Sequence, residues 1–598
     1  MTVRERIEAL QGLMKRRGVD VYIVPSADFH QSEYVGDYFK AREFLTGFTG
    51  SAGTAVITKE RSALWTDGRY FLQAEAQLAD TGIYLQKAGM AGVPTLEAYL
   101  KDVLPRGGCI GFDGRTIGAM TGKNYEKIAK EKEGSIVCQE DLIGEIWKDR
   151  PALSREPAFT LDDSYAGEPV ASKLKRLRDR MRQLGADVHI LTSLDDIGWL
   201  LNIRGNDVAY CPLVLSYAMI RLESVELYAD AEKFSVSIQK NFQEQHVELC
   251  PYDTICEQIR KLSEEYTVLV DPQRINYALY QEIPKNVRVI EAENPTILMK
   301  AVKNDTEVKH IRRAHLKDGV AVTKFMYWLK TQMGKKAITE LDASSKLEAF
   351  RAEQEHFLGP SFAPISAYGE HAAIVHYSAT EQSNIELEQR GFYLSDTGGH
   401  YLEGSTDITR TIALGELTEE EKRDFTMVAA GMLHLADAVF LEGCTGMNLD
   451  YAARAPFWKK GKDFHHGTGH GVGYLGNIHE PPVTFNWIQR SRKRYPLEKN
   501  MVITDEPGIY VEGSHGIRTE NELLVCQGER NAYGQFLYFE PLTLAPIDLD
   551  AIVPEQLTEE ECELLNAYHR KVYETISPYL SQKENDWLKI YTRSIGKS

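Results

Sequence analysis

Four carboxylates and one imidazole in the second half of this 598-residue chain have the types and spacing that chemistry requires. Asp396 follows the apolar run of GFYLSDTGG, and Asp407 lies eleven residues on, in GSTDITRT. His470 sits in HHGTGHGVG, Glu506 in MVITDEPG after another apolar run, and Glu520 in GIRTENELLV just before one. Any one of these acids alone reads as a cap, a turn or a surface residue, because unpaired Asp and Glu are rarely buried. As a group they form a ligand set. Carboxylate oxygens are hard donors that can bridge two cations, and such a set with one imidazole suits Mn2+ and, less exclusively, Fe2+, Co2+ or Zn2+. Four negative charges converging in a dry pocket repel one another, and two divalent cations would cancel them. Two such ions about 4 Å apart make water nucleophilic at neutral pH.

The segments around these residues turn sharply, with Pro and Gly next to the reactive side chains in TDEPG and GTGHG. GTGHGVG is out of register for a dinucleotide loop and follows two histidines rather than a strand. The chain has no HExxH and no GxSxG, which leaves a mononuclear zinc peptidase and a serine hydrolase unsupported.

Stepping outward, strand-like runs are expected to dominate from 390 onward: GFYLSDTGG, STDITRTIALG, NMVITDEPGIYVE and NELLVC. A long helix begins near 304, capped by Asn304 or Asp305, and carries Val308, Ile311, Val322, Phe325, Met326 and Leu329 at three- and four-residue steps. Thr558 and Glu561 form a capping-box pattern ahead of a C-terminal helix. In the first half, a helix over 4–17 leads to a buried strand at 19–25, with strands at 53–58 and 63–71. RRGVDVYIVPS (16–26) aligns with QLGADVHILTS (183–193), so two α/β units arise by internal duplication. The fold class is α/β, with an α+β unit carrying the ligand set.

Composition bounds the partners. With 43% hydrophobic and 26% charged residues, this is a globular chain, and its net charge of −18 disfavours nucleic acid. Eight scattered cysteines without a CxxC pair suggest reduced thiols. The charged N-terminus MTVRERIEALQGLMKRRG lacks a signal-peptide core, and no apolar run is long enough to span a membrane. A cytoplasmic protein is expected.

The five motifs, in order, resemble the creatinase/methionine aminopeptidase family, the pita-bread metallopeptidases. That resemblance implies two metal ions: Asp396 on one, His470 and Glu506 on the other, Asp407 and Glu520 bridging. Mn2+ is the expected metal, with Co2+ or Zn2+ as alternatives. DFHQSEYVGDYFKAREFLTGFTGSAGTAVIT (28–58), WTDGRYFLQA (65–74) and FEPLTLAPIDLD (539–550) extend the resemblance over the whole chain, to the long, three-domain aminopeptidase P form. It implies creatinase-like domains at 1–155 and 156–300, a catalytic domain at 301–535 and a C-terminal extension at 536–598. It also implies peptide substrates with a penultimate proline and a homodimer. His376 in AAIVHYS and His479 in NIHEPP would line the substrate site and stabilise the tetrahedral intermediate. His466 would border the proline pocket, and Glu506 would handle the proton. His465, His371 and His400 have no such support and default to structural or surface roles. Arg410 reads as the orienter of a carboxylate rather than a substrate contact.

Within the same fold, a prolidase would cleave only Xaa-Pro dipeptides and a methionine aminopeptidase only N-terminal Met; chain length and the duplicated N-terminal units argue against both. A creatinase would not need the metal ligands. A peptidase-like binding module, from a different class, typically lacks these ligands.

Overall fold

The computed structural model describes residues 1–488 and 493–596, which form two compact units: 1–162 with 168–297, and 163–167 with 298–598. In the first unit, the helix Val3–Arg17 is closed by a Thr2–Glu5 capping box and by Gly18 in the left-handed region, and it buries Ile7, Leu10, Leu13 and Met14. The strand Val21–Pro25 follows. It pairs antiparallel with Thr54–Thr58 and parallel with Cys109–Phe112, at the centre of a six-stranded mixed sheet.

The same plan recurs. The helix Val170–Leu184 ends at Gly185, also left-handed, and leads to Val188–Leu191, which pairs antiparallel with Tyr217–Arg221 and parallel with Thr267–Val270 in a second six-stranded sheet. The two sheets share one strand order, so the repeat in sequence is a repeat in structure. The strand expected at 63–71 ends at Thr66. Asp67 accepts from the Arg69 N–H to make a turn, and the chain then enters the helix Phe71–Leu78.

The second unit is organised by the helix Asp305–Gln332. Asn304 caps it by accepting from the N–H groups of Thr306 and Glu307. Strands dominate from 390 to the expected C-terminal helix Glu559–Ile576, with helices Glu419–Ala436 and Gly446–Trp458 set between them. The Thr418–Glu421 capping box that opens the helix Glu419–Ala436 has the same form as the Thr558–Glu561 box of the C-terminal helix. The strands Ile365–Tyr368, Phe392–Thr397 and Ile408–Ala413 form one sheet. A six-stranded sheet orders Val439–Leu441, Gly534–Pro541, Asn521–Asn531, Val502–Asp505, Gly469–Val472 and His479–Phe485, and the hairpin Gly508–Val511/His515–Arg518 packs on the three-stranded sheet.

One hydrophobic core underlies the region around the site. It joins Phe325, Met326 and Leu329 of the long helix, Phe425, Val428 and Met432 of the next, and Phe392, Tyr393 and Ile412 of the small sheet. Leu544, Ile547, Leu565, Val572 and Ile576 from the end of the chain belong to that core too. Each such side chain contributes about 1.5–3 kcal/mol on burial, so the C-terminal segment is part of what holds the site strands. Among the described residues the eight cysteines form no disulfide, and no helix is long and apolar enough to cross a membrane.

Candidate metal centre

Strand register brings the five residues together. The pairing of Phe392–Thr397 with Ile408–Ala413 sets Asp396 opposite Thr409 and leaves Asp407 just outside the ladder at the same end. Gly398 makes that end tight, since a Cβ there would lie 1.8 Å from the Thr406 carbonyl oxygen. Glu520 joins the pair because its N–H donates to Thr409 O at 3.1 Å. On the larger sheet, Gly471 pairs with Ile503, and the Glu506 N–H donates to Thr468 O at 2.8 Å. That close approach requires a glycine before His470: a Cβ on Gly469 would lie 1.8 Å from Thr504 O.

The outcome is a set of overlapping triads. Within each of Asp396–Asp407–Glu520, His470–Glu506–Glu520 and Asp407–His470–His479, one ligand-type atom per residue lies within 4.8 Å of the others. His470 Nε2 is 3.5 Å from Asp407 Oδ2 and 3.8 Å from Glu506 Oε1. Its Nδ1 lies 2.9 Å from Gly471 O. A proton on Nδ1 suits that carbonyl and leaves the Nε2 lone pair facing the acids. Asp407 is buried, whereas the His470 and Glu506 side chains keep about a fifth of their surface open. The cluster therefore has one solvent-facing edge.

Electrostatics tests whether cations fit. Burial, then Asp396 and Glu522, push the Asp407 carboxyl well above the usual carboxylate range. Burial, then Asp407, Glu506 and Asp396, do the same to Glu520. Glu506 is pushed up to about 7 by burial, against the pull of His470 and Arg518 and with Asp407 and Asp396 adding to it. Asp396 Oδ1 is buried without a hydrogen-bond partner. The cluster is short of positive charge on its inner side, as a hard-donor cage for divalent cations would be.

The nearest fixed cation is one the sequence reading passed over. Arg518 Nη2 lies 2.5 Å from Asp396 Oδ2, and Nη1 donates to Tyr510 Oη at 2.8 Å. Tyr510 Oη in turn lies 2.9 Å from His466 Nε2. The available signal was spacing: Arg518 is two residues before Glu520, the step that returns to one face of an extended chain.

Arg410 corrects its expected role. Its guanidinium donates to the main-chain oxygens of Thr409, Glu520, Ala545 and Pro546, to Asn521 Oδ1 and to Tyr568 Oη, at 2.5–3.1 Å. It therefore holds the backbone at Glu520 rather than a carboxylate, and it ties that backbone to the C-terminal segment. Arg410→Met is expected to destabilise the protein by about 3 kcal/mol or more, because several buried carbonyls lose their donor at once; urea unfolding against the parent measures it.

The other histidines separate. His479 stacks edge-on against His470 at 4.4 Å between ring centroids. His466 sits between Phe464 and Tyr510, with Nδ1 2.7 Å from Gly467 O. Arg454 Nη2 donates to His466 O, steadying that loop. His376 lies partly buried in a turn rather than in an apolar strand, one residue past Val375, whose carbonyl oxygen is 3.5 Å from Arg518 Nη2. His371 bonds Glu340 and stacks on Tyr377, His400 bonds Ser405, and His465 is exposed.

With this geometry in view, comparison with known proteins is decisive. Residues 309–527 match metallopeptidase family M24 and residues 535–595 the C-terminal region of that peptidase, while 6–145 and 149–307 each match a creatinase/prolidase N-terminal domain. Aminopeptidase P1 of Arabidopsis thaliana is 37% identical over 99% of this chain and 100% of its own. The chain belongs to the aminopeptidase P family of M24 metallopeptidases. A probable Xaa-Pro aminopeptidase P of Paracoccidioides brasiliensis is 38% identical over 99% of both chains. The X-prolyl aminopeptidase of Caenorhabditis elegans, described as a cytosolic enzyme with a di-nuclear active site, superposes with a TM-score of 0.95 at 34% identity over 100% of both chains. The M24 aminopeptidase P architecture of creatinase-type N-terminal domains ahead of a pita-bread domain is thus present across the described chain.

Proposed function

We propose that this chain is an Xaa-Pro aminopeptidase, which hydrolyses the bond between an N-terminal residue and a penultimate proline at a site for two divalent ions. The convergence of Asp396, Asp407, His470, Glu506 and Glu520 at one solvent-facing edge supports the hydrolytic part. The proline preference rests on the full-length kinship with aminopeptidase P and X-prolyl aminopeptidase. In this reading Asp396, Asp407, His470, Glu506 and Glu520 would hold the two ions. Mn2+ is the proposed metal, with Co2+ or Zn2+ as alternatives, and metal analysis of protein purified without chelator decides among them.

When bound, the ions supply Lewis-acid polarisation and lower the pKa of water. The protein's side chains do the rest. Glu506 takes the proton of the attacking water on a carboxylate oxygen and passes it to the proline nitrogen as the C–N bond breaks, so the carbonyl carbon gains OH and the nitrogen gains H. His479 and His376 donate hydrogen bonds to the carbonyl oxygen as negative charge builds there. His466, packed between Phe464 and Tyr510, would border the pocket for the proline ring. Proline's amide has no N–H, so shape can select it without an acceptor to pair.

The proposed domains are 1–155, 156–300, 301–535 and 536–598, with the chain a cytoplasmic homodimer. Tyr451, Trp458 and Trp487 form an exposed aromatic cluster that a second copy would cover. Sedimentation equilibrium and cell fractionation check those two readings. The activity is tested by mass spectrometry of products from matched Xaa-Pro and Xaa-Ala peptides, with and without Mn2+. Release of residue one from Arg-Pro-Pro but not from Arg-Ala-Ala is expected; cleavage of the dipeptide Arg-Pro alone would point to a prolidase.

A further inference from the structure

A fifth buried carboxylate stands behind the cluster, and none of the proposed ligand or catalytic roles uses it. Glu522 is wholly buried on the strand Asn521–Asn531. Its Oε1 accepts the main-chain N–H of Asp407 at 2.6 Å, and its own N–H donates to Thr543 Oγ1 at 2.8 Å. Its Oε2 faces Nε2 of His315 at 3.2 Å. His315 is buried on the helix Asp305–Gln332, and its Nδ1 lies 2.8 Å from Ile311 O, which fixes the ring with its other edge toward Glu522.

The cost of this arrangement shows its use. A buried carboxylate loses several kcal/mol of hydration unless it is paired and well bonded. One buried N–H needs only a neutral acceptor, which a glutamine would provide at lower cost. His315, whose imidazole Glu522 holds above its usual range against the effect of burial, offsets part of the negative charge; the remainder is an advantage to a cluster of cations. We propose that Glu522, braced by His315, is a positioning residue: it holds the turn that presents Asp407 and adds negative potential behind the two-ion centre. This inference rests on the two-ion reading above.

Titration calorimetry of Mn2+ into chelator-treated, dialysed full-length protein tests it, with thermal melts of the metal-free forms alongside. E522Q keeps an acceptor for the Asp407 N–H but loses the charge. It should melt at least as high as the parent without metal, yet bind Mn2+ roughly 10- to 100-fold more weakly, the usual size of effect for groups that orient metal ligands. H315L should weaken Mn2+ binding in the same direction, and H315Q, which retains an N–H toward Glu522, should restore most of it. If E522Q does not fold, H315L against H315Q decides. Mn2+ affinity within about two-fold of the parent in both E522Q and H315L would overturn the proposal. D407N is the control for the underlying reading: if D407N also binds Mn2+ like the parent, the two-ion site itself is wrong and this proposal falls with it.

Discussion

E506Q lowers kcat on Arg-Pro-Pro by about a thousand-fold or more while the fold stays intact. The side chain combines two properties that glutamine cannot supply together. It faces His470 Nε2 at 3.8 Å across the open edge of the cluster, so it is placed to bind an ion. Its carboxylate also offers an oxygen that can take and return a proton. Glutamine matches its shape but holds no exchangeable charge, and proton transfer by a positioned carboxylate alone contributes roughly a hundred- to ten-thousand-fold. The fold should tolerate the change, because Glu506 is held through its main-chain N–H to Thr468 O and removing an acid relieves repulsion. Initial rates at saturating Mn2+, with a circular dichroism melt of the same preparation, measure both halves. A variant within about ten-fold of the parent kcat would remove Glu506 from the proton path.

Chelation should have the second-largest effect. Treatment with EDTA is expected to abolish turnover without unfolding the chain, and added Mn2+ to restore turnover and raise the melting temperature by a few degrees. A ligand at about a hundred times its Kd stabilises the folded state by roughly 2.7 kcal/mol, and here it also relieves repulsion among Asp407, Glu506 and Glu520. The metal-free form carries a pH signature. Because the folded Glu506 carboxyl is raised from the usual 4.5 to about 7, its neutral form favours folding at low pH, and that contribution is lost as pH rises from about 4.5 through about 7. Calorimetric melts of EDTA-treated protein between pH 5 and 8 test the sign. Full activity with less than one metal ion per chain would end the two-ion reading.

The five ligands could be found in the sequence for a physical reason. Metal ligands must be particular side-chain types, and His470 and Glu506 sit beside the Gly or Pro that turns the chain, so the chemistry leaves local marks such as TDEPG and GTGHG. The duplicated units left similar marks, because a helix closed by a left-handed glycine and followed by a central strand is a local pattern, repeated at Gly18 and Gly185. Helices Glu419–Ala436 and Gly446–Trp458 are less legible, although the first shows its Thr418–Glu421 cap, because the apolar strand runs around them outweigh it.

What the sequence determined by itself is therefore the class of chemistry, the residues able to perform it and the repeat of the N-terminal fold. The tertiary structure alone decided what surrounds them. Arg518 meets Asp396 across 122 positions, Glu522 meets the Asp407 N–H across 115, and Arg410 reaches Tyr568 across 158. None of these residues is unusual in its own segment. Their roles come from strand register and from a shared core that brings the C-terminal segment against the ligand strands, and register between distant strands is set by the packing of whole faces rather than by any short run of residues.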